Sequence, residues 1–383
     1  MADNKKYVID VSKRHKYYNQ SRRYQKEYQE WRSAENNPYG YRFVKDIREH
    51  AYMDGEGFVD NTGVEEEKAA LFNCFRLLGM SLLIMAAVAM VRMLIMDVGY
   101  GLEKGGRIYY ETLENGNYLN SEAAYMLVSL NLMEYLLPIF FLSATTHLPT
   151  RVAIPMKRVK GSIYFSVVLV MLLMMFAGRM INLLFSKALG AVGISSLYYD
   201  YIAAEDLSTM IVCGFLQHVV IAVLIEVLYR GFLLQLFRQF GEMFAVIVTA
   251  IASVWMLHDL TQIGYLLFVS IFTGVITVRS GSIKPAIAMR VIARAFTFAI
   301  TFARSSYDEV FGEIFELIIM IAVFFGAVFY YKRMGRKSFK LSIGTNDEEL
   351  TTRSKLRIML MSAPVWAGFV AMLIVSILTV RVM

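Results

Sequence analysis

The sequence predicts an all-α polytopic membrane protein. Three observations carry that prediction. The apolar set AVILMFWYC supplies 57% of the 383 residues and charged residues only 19%. Soluble domains hold roughly 45–50% apolar residues, glycine included, and about 25% charged ones. Mean hydropathy is +0.47, and the apolar residues are gathered into runs of the length that reads as a membrane span, about 18 residues or more. A soluble enzyme is excluded on these grounds.

The first 68 residues are polar, so an N-terminal cytoplasmic segment (1–68) is expected ahead of a transmembrane domain (69–383). No cleavable signal peptide is read there, and the first apolar segment is expected to act as an uncleaved anchor. The segment is basic at first and acidic from about residue 33. Tyr17, Tyr24, Tyr28 and Trp31 recur at helical spacing, with Arg22, Arg23, Lys26 and Arg32 off that face. Such an amphipathic helix lies either on an anionic membrane surface or on the protein's own loops. Residues 54–68, DGEGFVDNTGVEEEK, read as a flexible acidic linker.

Apolar segments follow at 71–96, 123–143, 162–186, 207–228, 244–257, 263–278, 285–303, 314–331 and 362–380, about nine transmembrane helices. The fifth and sixth are short for full spans. Basic and acidic connections alternate along the chain. Loop 97–122 is acidic, 144–161 holds Arg151, Lys157, Arg158 and Lys160, and 187–206 is acidic again. The turn with Arg230 and Arg238, the turn with Asp259, the pair Arg279 and Lys284, the acidic turn 308–313 and the basic loop 332–360 continue the pattern. By the positive-inside rule this places the N-terminus in the cytoplasm and the protein in the cell membrane. Pro285 and Pro364 stand at segment starts, where a missing N–H costs little. Cys74 and Cys213 lie in apolar stretches and are expected as buried free thiols. The net charge of +7 follows from loop placement and implies no nucleic acid.

Polar groups inside apolar spans cost energy and mark function by default. Asn131 and Glu134 lie in the second span, Gln217, His218 and Glu226 in the fourth, His258 at the end of the fifth, and Arg290 and Arg294 in the seventh. Arg76, Arg92 and Arg304 stand nearer span ends and are expected to snorkel. Glu226 and Arg230 are four apart, so they share a helical face and can pair. Arg290 and Arg294 are also four apart and need an acid or an anionic ligand, with Glu226, Glu134 and Asp259 as the available carboxylates. No H-E-x-x-H, glycine-rich phosphate loop or G-x-S-x-G occurs, which argues against zincins, ATPases and α/β-hydrolases.

The stretch 207–303 resembles the CPBP family of CAAX proteases and bacteriocin-processing (Abi) membrane proteins, and implies their helical core. The family reads Glu-Glu-x-x-x-Arg, then Phe-x-x-x-His, then His-x-x-x-Asn/Asp. Glu226-Val-Leu-Tyr-Arg230-Gly231-Phe232-Leu233 is similar to the second half of the first motif, and His258 fits the second by order and spacing. The approach to the third motif is similar over Thr273-Gly274 and Arg279–Ile287. By the resemblance, Glu226, Arg230 and His258 are the remaining catalytic positions. The first glutamate falls on Ile225, the phenylalanine on Val254, and the third-motif pair on Arg290 and Arg294. In the family the first glutamate and the histidines activate the attacking water.

Isoleucine cannot accept a proton, and arginine stays protonated, so it is neither base nor metal ligand. No metal and no cofactor is therefore expected. The leading reading is a catalytically degenerate, binding, regulatory or immunity protein. Arg290 and Arg294 would hold a membrane lipid phosphate, a peptide carboxylate or an acidic membrane-protein helix. The alternative is an active intramembrane CAAX-type endopeptidase with a site built on His258 and Glu226. A transporter is a third, weaker reading.

Overall fold

The structure is a computed structural model. It describes residues 8–10, 17, 19–34, 36–41, 44–46, 62–101, 121–196, 206–258, 262–306, 309–334, 350–378 and 380–382. The fold is helical. In chain order the helices are α1 (Arg22–Arg32), α2 (Thr62–Gly101), α3 (Ser121–Thr146), the single turn α4 (Thr150–Ala153) and α5 (Gly161–Gly190). Then come α6 (Leu207–Phe240), α7 (Glu242–Ser253), α8 (Ile263–Ser280), α9 (Lys284–Ser306), α10 (Glu309–Met334), α11 (Thr352–Met361) and α12 (Ala363–Leu378). Two small antiparallel ribbons join Val8–Asp10 to Val44–Asp46 and Ile194–Ser196 to Val380–Val382.

Each expected apolar segment falls on a helix, but length and composition do not reproduce nine spans. Among the described residues five helical stretches are long and apolar enough to cross a membrane: Val64–Ile95, Ser121–Thr146, Leu207–Phe240, Ile263–Ser280 and Val310–Phe329. The bent pair α11 and α12, at 69°, makes a sixth if it is one broken span. The 12 residues of α7 rise only about 18 Å at 1.5 Å per residue, short of a ~30 Å hydrocarbon core. In α9 the cations interrupt the apolar run. The expected linker also ends early, because α2 begins at Thr62 and Glu65–Lys68 already belong to its first turns. The rest of that linker lies outside the described residues.

Pro285 and Pro364 are each the second residue of their helix, as their positions predict. Cys74 and Cys213 are buried and unbridged. Helix α2 packs against α3 and α12. The α2–α12 crossing is close because Gly79 faces the Pro364 backbone and Gly368 faces the Gly79 carbonyl; a Cβ on Gly79 would lie 2.2 Å from the Pro364 carbonyl oxygen. Small residues let helices approach where lipid supplies no hydrophobic drive between them. Helix α6 runs between α3, α7 and α9, while α8 lies against α5, α7 and α9. Phe75, Leu78, Met85, Tyr229, Leu233 and Phe237 form part of the main core, and Val167, Met171, Val269, Met289 and Ala293 tie α5 to α8 and α9.

The aromatic face of α1 meets the protein. Tyr24, Tyr28 and Trp31 are buried and Arg22, Arg23 and Lys26 are exposed, but Arg32, expected off that face, is buried against the Tyr41 ring. Ser21 caps the helix, accepting from the Tyr24 N–H at 3.2 Å. Burial pushes the Tyr24 phenol up from its ordinary range against the opposing pull of the Arg238 guanidinium, and burial likewise raises Tyr28 well above it.

Candidate functional site

The polar residues of the spans collect into two buried groups, and α6 contributes to both. This helix is not uniformly α-helical: Leu216–Val220 and Val227–Leu233 are wound as π-turns. A π-turn inserts a residue into a helical turn and re-aims the side chains around it, a feature frequent at functional sites. The first carries Gln217 and His218. The second carries Arg230, and Glu226 stands in the short α-helical stretch between them.

The first group centres on Glu226, which is fully buried. Its carboxylate accepts from the Arg290 guanidinium of α9 in a close ion pair, and Arg230 Nε lies 3.9 Å from its other oxygen. The i, i+4 pair expected from spacing is thus present but looser than the contact to Arg290. Arg230 points to α8, where Nε donates to Thr273 Oγ1 at 3.0 Å and Nη2 to the Ser270 carbonyl at 2.8 Å. Ser270 Oγ reaches Ser253 Oγ of α7 at 2.7 Å. Among the described residues, Glu226 Oε2 and Arg230 Nη1 make no hydrogen bond. A buried polar atom without a hydrogen bond carries a desolvation cost.

The second group centres on Glu134 of α3. One carboxylate oxygen accepts from Arg92 of α2 at 2.8 Å, and the other lies 2.6 Å from His258 Nε2. Arg92 also donates to Asn131, whose amide donates to Gln217 Oε1 at 3.0 Å. Arg294 Nη1 donates to the Gln217 carbonyl at 2.9 Å. His218 is buried with its ring centroid 5.0 Å from that of Phe298 on α9. His258 ends a 3-10 turn that follows α7 and takes a left-handed backbone, φ 51. An ionised carboxylate only accepts, so Nε2 is the donor to Glu134 in this contact.

The structure therefore brings Glu226, Arg230 and Arg290 together, and pairs His258 with Glu134. Arg294 reaches the second group through Gln217. The expectation that Arg92 snorkels is overturned, since its guanidinium turns inward to Asn131 and Glu134. A buried carboxylate is a better partner for it than distant headgroups. Arg76 is exposed, and the Arg304 side chain and Asp259 lie outside the described residues. Sequence reading missed Ser270 and Thr273 as the arginine's partners. Their signal was present, because Ser270, Thr273 and Thr277 stand at helical spacing on one face of an apolar segment. No group of three His, Cys, Asp or Glu side chains that could hold a metal ion occurs among the described residues.

Residues 207–296 match the family model described as Type II CAAX prenyl endopeptidase Rce1-like. This part of the chain is similar to that family, over 207–296 alone. The Rce1-like segment spans α6 to the middle of α9, and so includes Glu226, Arg230, His258, Arg290 and Arg294. Glu134 and Arg92, which complete the second group, come from helices ahead of it. No curated protein and no solved structure matches the chain.

Proposed function

We propose that this membrane protein keeps the CAAX-protease core as a binding site and has lost the family's hydrolysis. The observation that carries the reading is the buried Glu226–Arg290 ion pair. Taking a proton from water would cost Glu226 its buried ion pair with Arg290. Arg290 itself cannot take a proton from water. The arginines stand where the resemblance places the third-motif histidine and its Asn/Asp partner, so the groups present favour electrostatic holding over general-base work. The ligand class is anionic: a lipid phosphate, a peptide carboxylate or an acidic helix of a membrane partner. A regulatory or immunity role in the cell membrane, with a cytoplasmic N-terminus, belongs to the same proposal.

The test is cleavage of a broad peptide library by the purified protein in detergent, wild type beside His258→Ala and Glu226→Gln. The expected result is no cleavage above the level of the two variants. Cleavage by the wild type that both variants lose would overturn the reading. It would favour instead a rebuilt endopeptidase, for which the Glu134–His258 contact at 2.6 Å supplies a base and its orienting carboxylate.

A further inference from the structure

The described residues between 17 and 41 lie against the end of α6, at Gln235 to Gln239, beyond Arg230. Tyr24, Tyr28 and Trp31 direct their polar ends into that helix and the last residue of α3. The Tyr24 hydroxyl donates to Gln235 Oε1 at 2.6 Å and the Tyr28 hydroxyl to the Gln235 carbonyl at 2.6 Å. Trp31 Nε1 donates to the Thr146 carbonyl at 2.8 Å, and Gln239 Nε2 donates back to the Tyr39 carbonyl at 2.7 Å. The Arg238 guanidinium stands 4.2 Å from the centroid of the Tyr17 ring. Gln235 then continues inward, since its Nε2 donates to the Arg230 carbonyl at 3.2 Å. A hydrogen-bonded line thus runs from Tyr24 through Gln235 to the backbone of the π-turn that carries Arg230.

We infer that residues 17–41 are a releasable strap, a regulatory element of the same chain, whose docking holds the second π-turn and with it Arg230 beside Glu226. Three features fit a docked element, one whose aromatic face closes over the main core. Its contacts are to the ends of α3 and α6, to Asn73 and Cys74 of α2, to α4 and to the turn before α9, at one end of the helices. Its outer edge is held by exposed contacts, Arg151 to Glu27 at 2.6 Å and Lys157 to the Asn19 carbonyl at 2.7 Å, and exposed ion pairs hold weakly. The docking ground is shaped to it: Gly281, at φ 66, lies so near that a Cβ would stand 2.2 Å from the Asn19 oxygen. The inference is independent of whether the site cleaves or binds.

Two measurements on the full chain in detergent test it. In the first, a protease recognition sequence is inserted between residues 55 and 56, the chain is cut, and a labelled synthetic peptide of residues 17–41 is added. The cut fragment should co-elute with the protein and be replaced by the labelled peptide. A fragment that never exchanges is a permanent part of the core, and one that dissociates at once has no docking ground; either outcome overturns the strap. In the second, Tyr24→Phe with Tyr28→Phe removes both hydroxyls from Gln235 and keeps the rings. Amide hydrogen exchange over residues 227–235 should rise about tenfold, as expected for loss of a local tether, with 263–280 unchanged. No rise at 227–235, or an equal rise in both segments, refutes the coupling to the site.

Discussion

Breaking the Glu226 cluster from its two sides should have unequal costs. The group holds one buried carboxylate and two buried guanidiniums. Glu226→Gln leaves Arg290 and Arg230 together around a neutral amide. Removing one partner of a buried ion pair costs about 3–5 kcal/mol. Arg290→Met leaves Glu226 with Arg230, whose Nε is 3.9 Å away, so the charges still balance. That change loses a hydrogen bond to a charged group, worth about 1.5–3 kcal/mol. The double variant removes one charge of each sign and should be more stable than Glu226→Gln alone. With about 2 °C per kcal/mol for a chain of this size, the melting temperature in detergent should fall by roughly 6–10 °C for Glu226→Gln and roughly 3–6 °C for Arg290→Met. A double-variant loss equal to the sum of the single losses would mean no coupling between the residues. That outcome, or Arg290→Met proving the more damaging change, would refute the charge-balance argument and the ion pair on which the proposed function rests.

Further outcomes follow from the same geometry. Ile225→Glu with Arg290→His and Arg294→Asn places the side chains that the family motifs carry on these helices. Peptide hydrolysis should then appear, and should disappear again with His258→Ala; an inert triple variant whose melting matches the wild type counts against the loss-of-site explanation. Gly281→Ala meets both a left-handed φ of 66 and the Asn19 carbonyl. It should cost about 1–3 kcal/mol, read as a lowered melting temperature and faster proteolysis within residues 17–41. Asp206 caps α6, and its carboxylate is held below the usual range by hydrogen bonds from the Ser208 hydroxyl and the Thr209 N–H. A lowered folded-state pKa gives stability that is present above the unfolded-state value and is lost as pH falls through the folded-state one. Melting of the wild type should therefore drop on acidification below about pH 4, and Asp206→Asn should flatten that drop.

Fold class and site differ in how much of each was legible in the chain. Composition and run length settle the class, because a lipid-exposed backbone must satisfy its hydrogen bonds within helices. The same logic points to Glu226, Arg230, His258, Arg290 and Arg294, since polar groups in apolar runs stand out without any alignment. Proline positions locate the starts of α9 and α12 for an equally local reason.

Span number and pairing are not local properties. Among the described residues five of the nine apolar runs are full-length crossings by length and composition, or six if the bent pair α11 and α12 is one span, with α7 too short and α9 interrupted by its cations. Partner choice depends on which helices lie side by side. Arg92 reads as a snorkelling residue until α2 is packed on α3, and Glu134 then becomes its nearest acid. His258 acquires a carboxylate 124 residues away, and Arg290 takes Glu226 ahead of the arginine one helical turn from it. Spacing along one helix predicts which residues can meet on that helix. Only the packing of α6 between its neighbours, with two π-turns altering the direction of its side chains, decides which of them do.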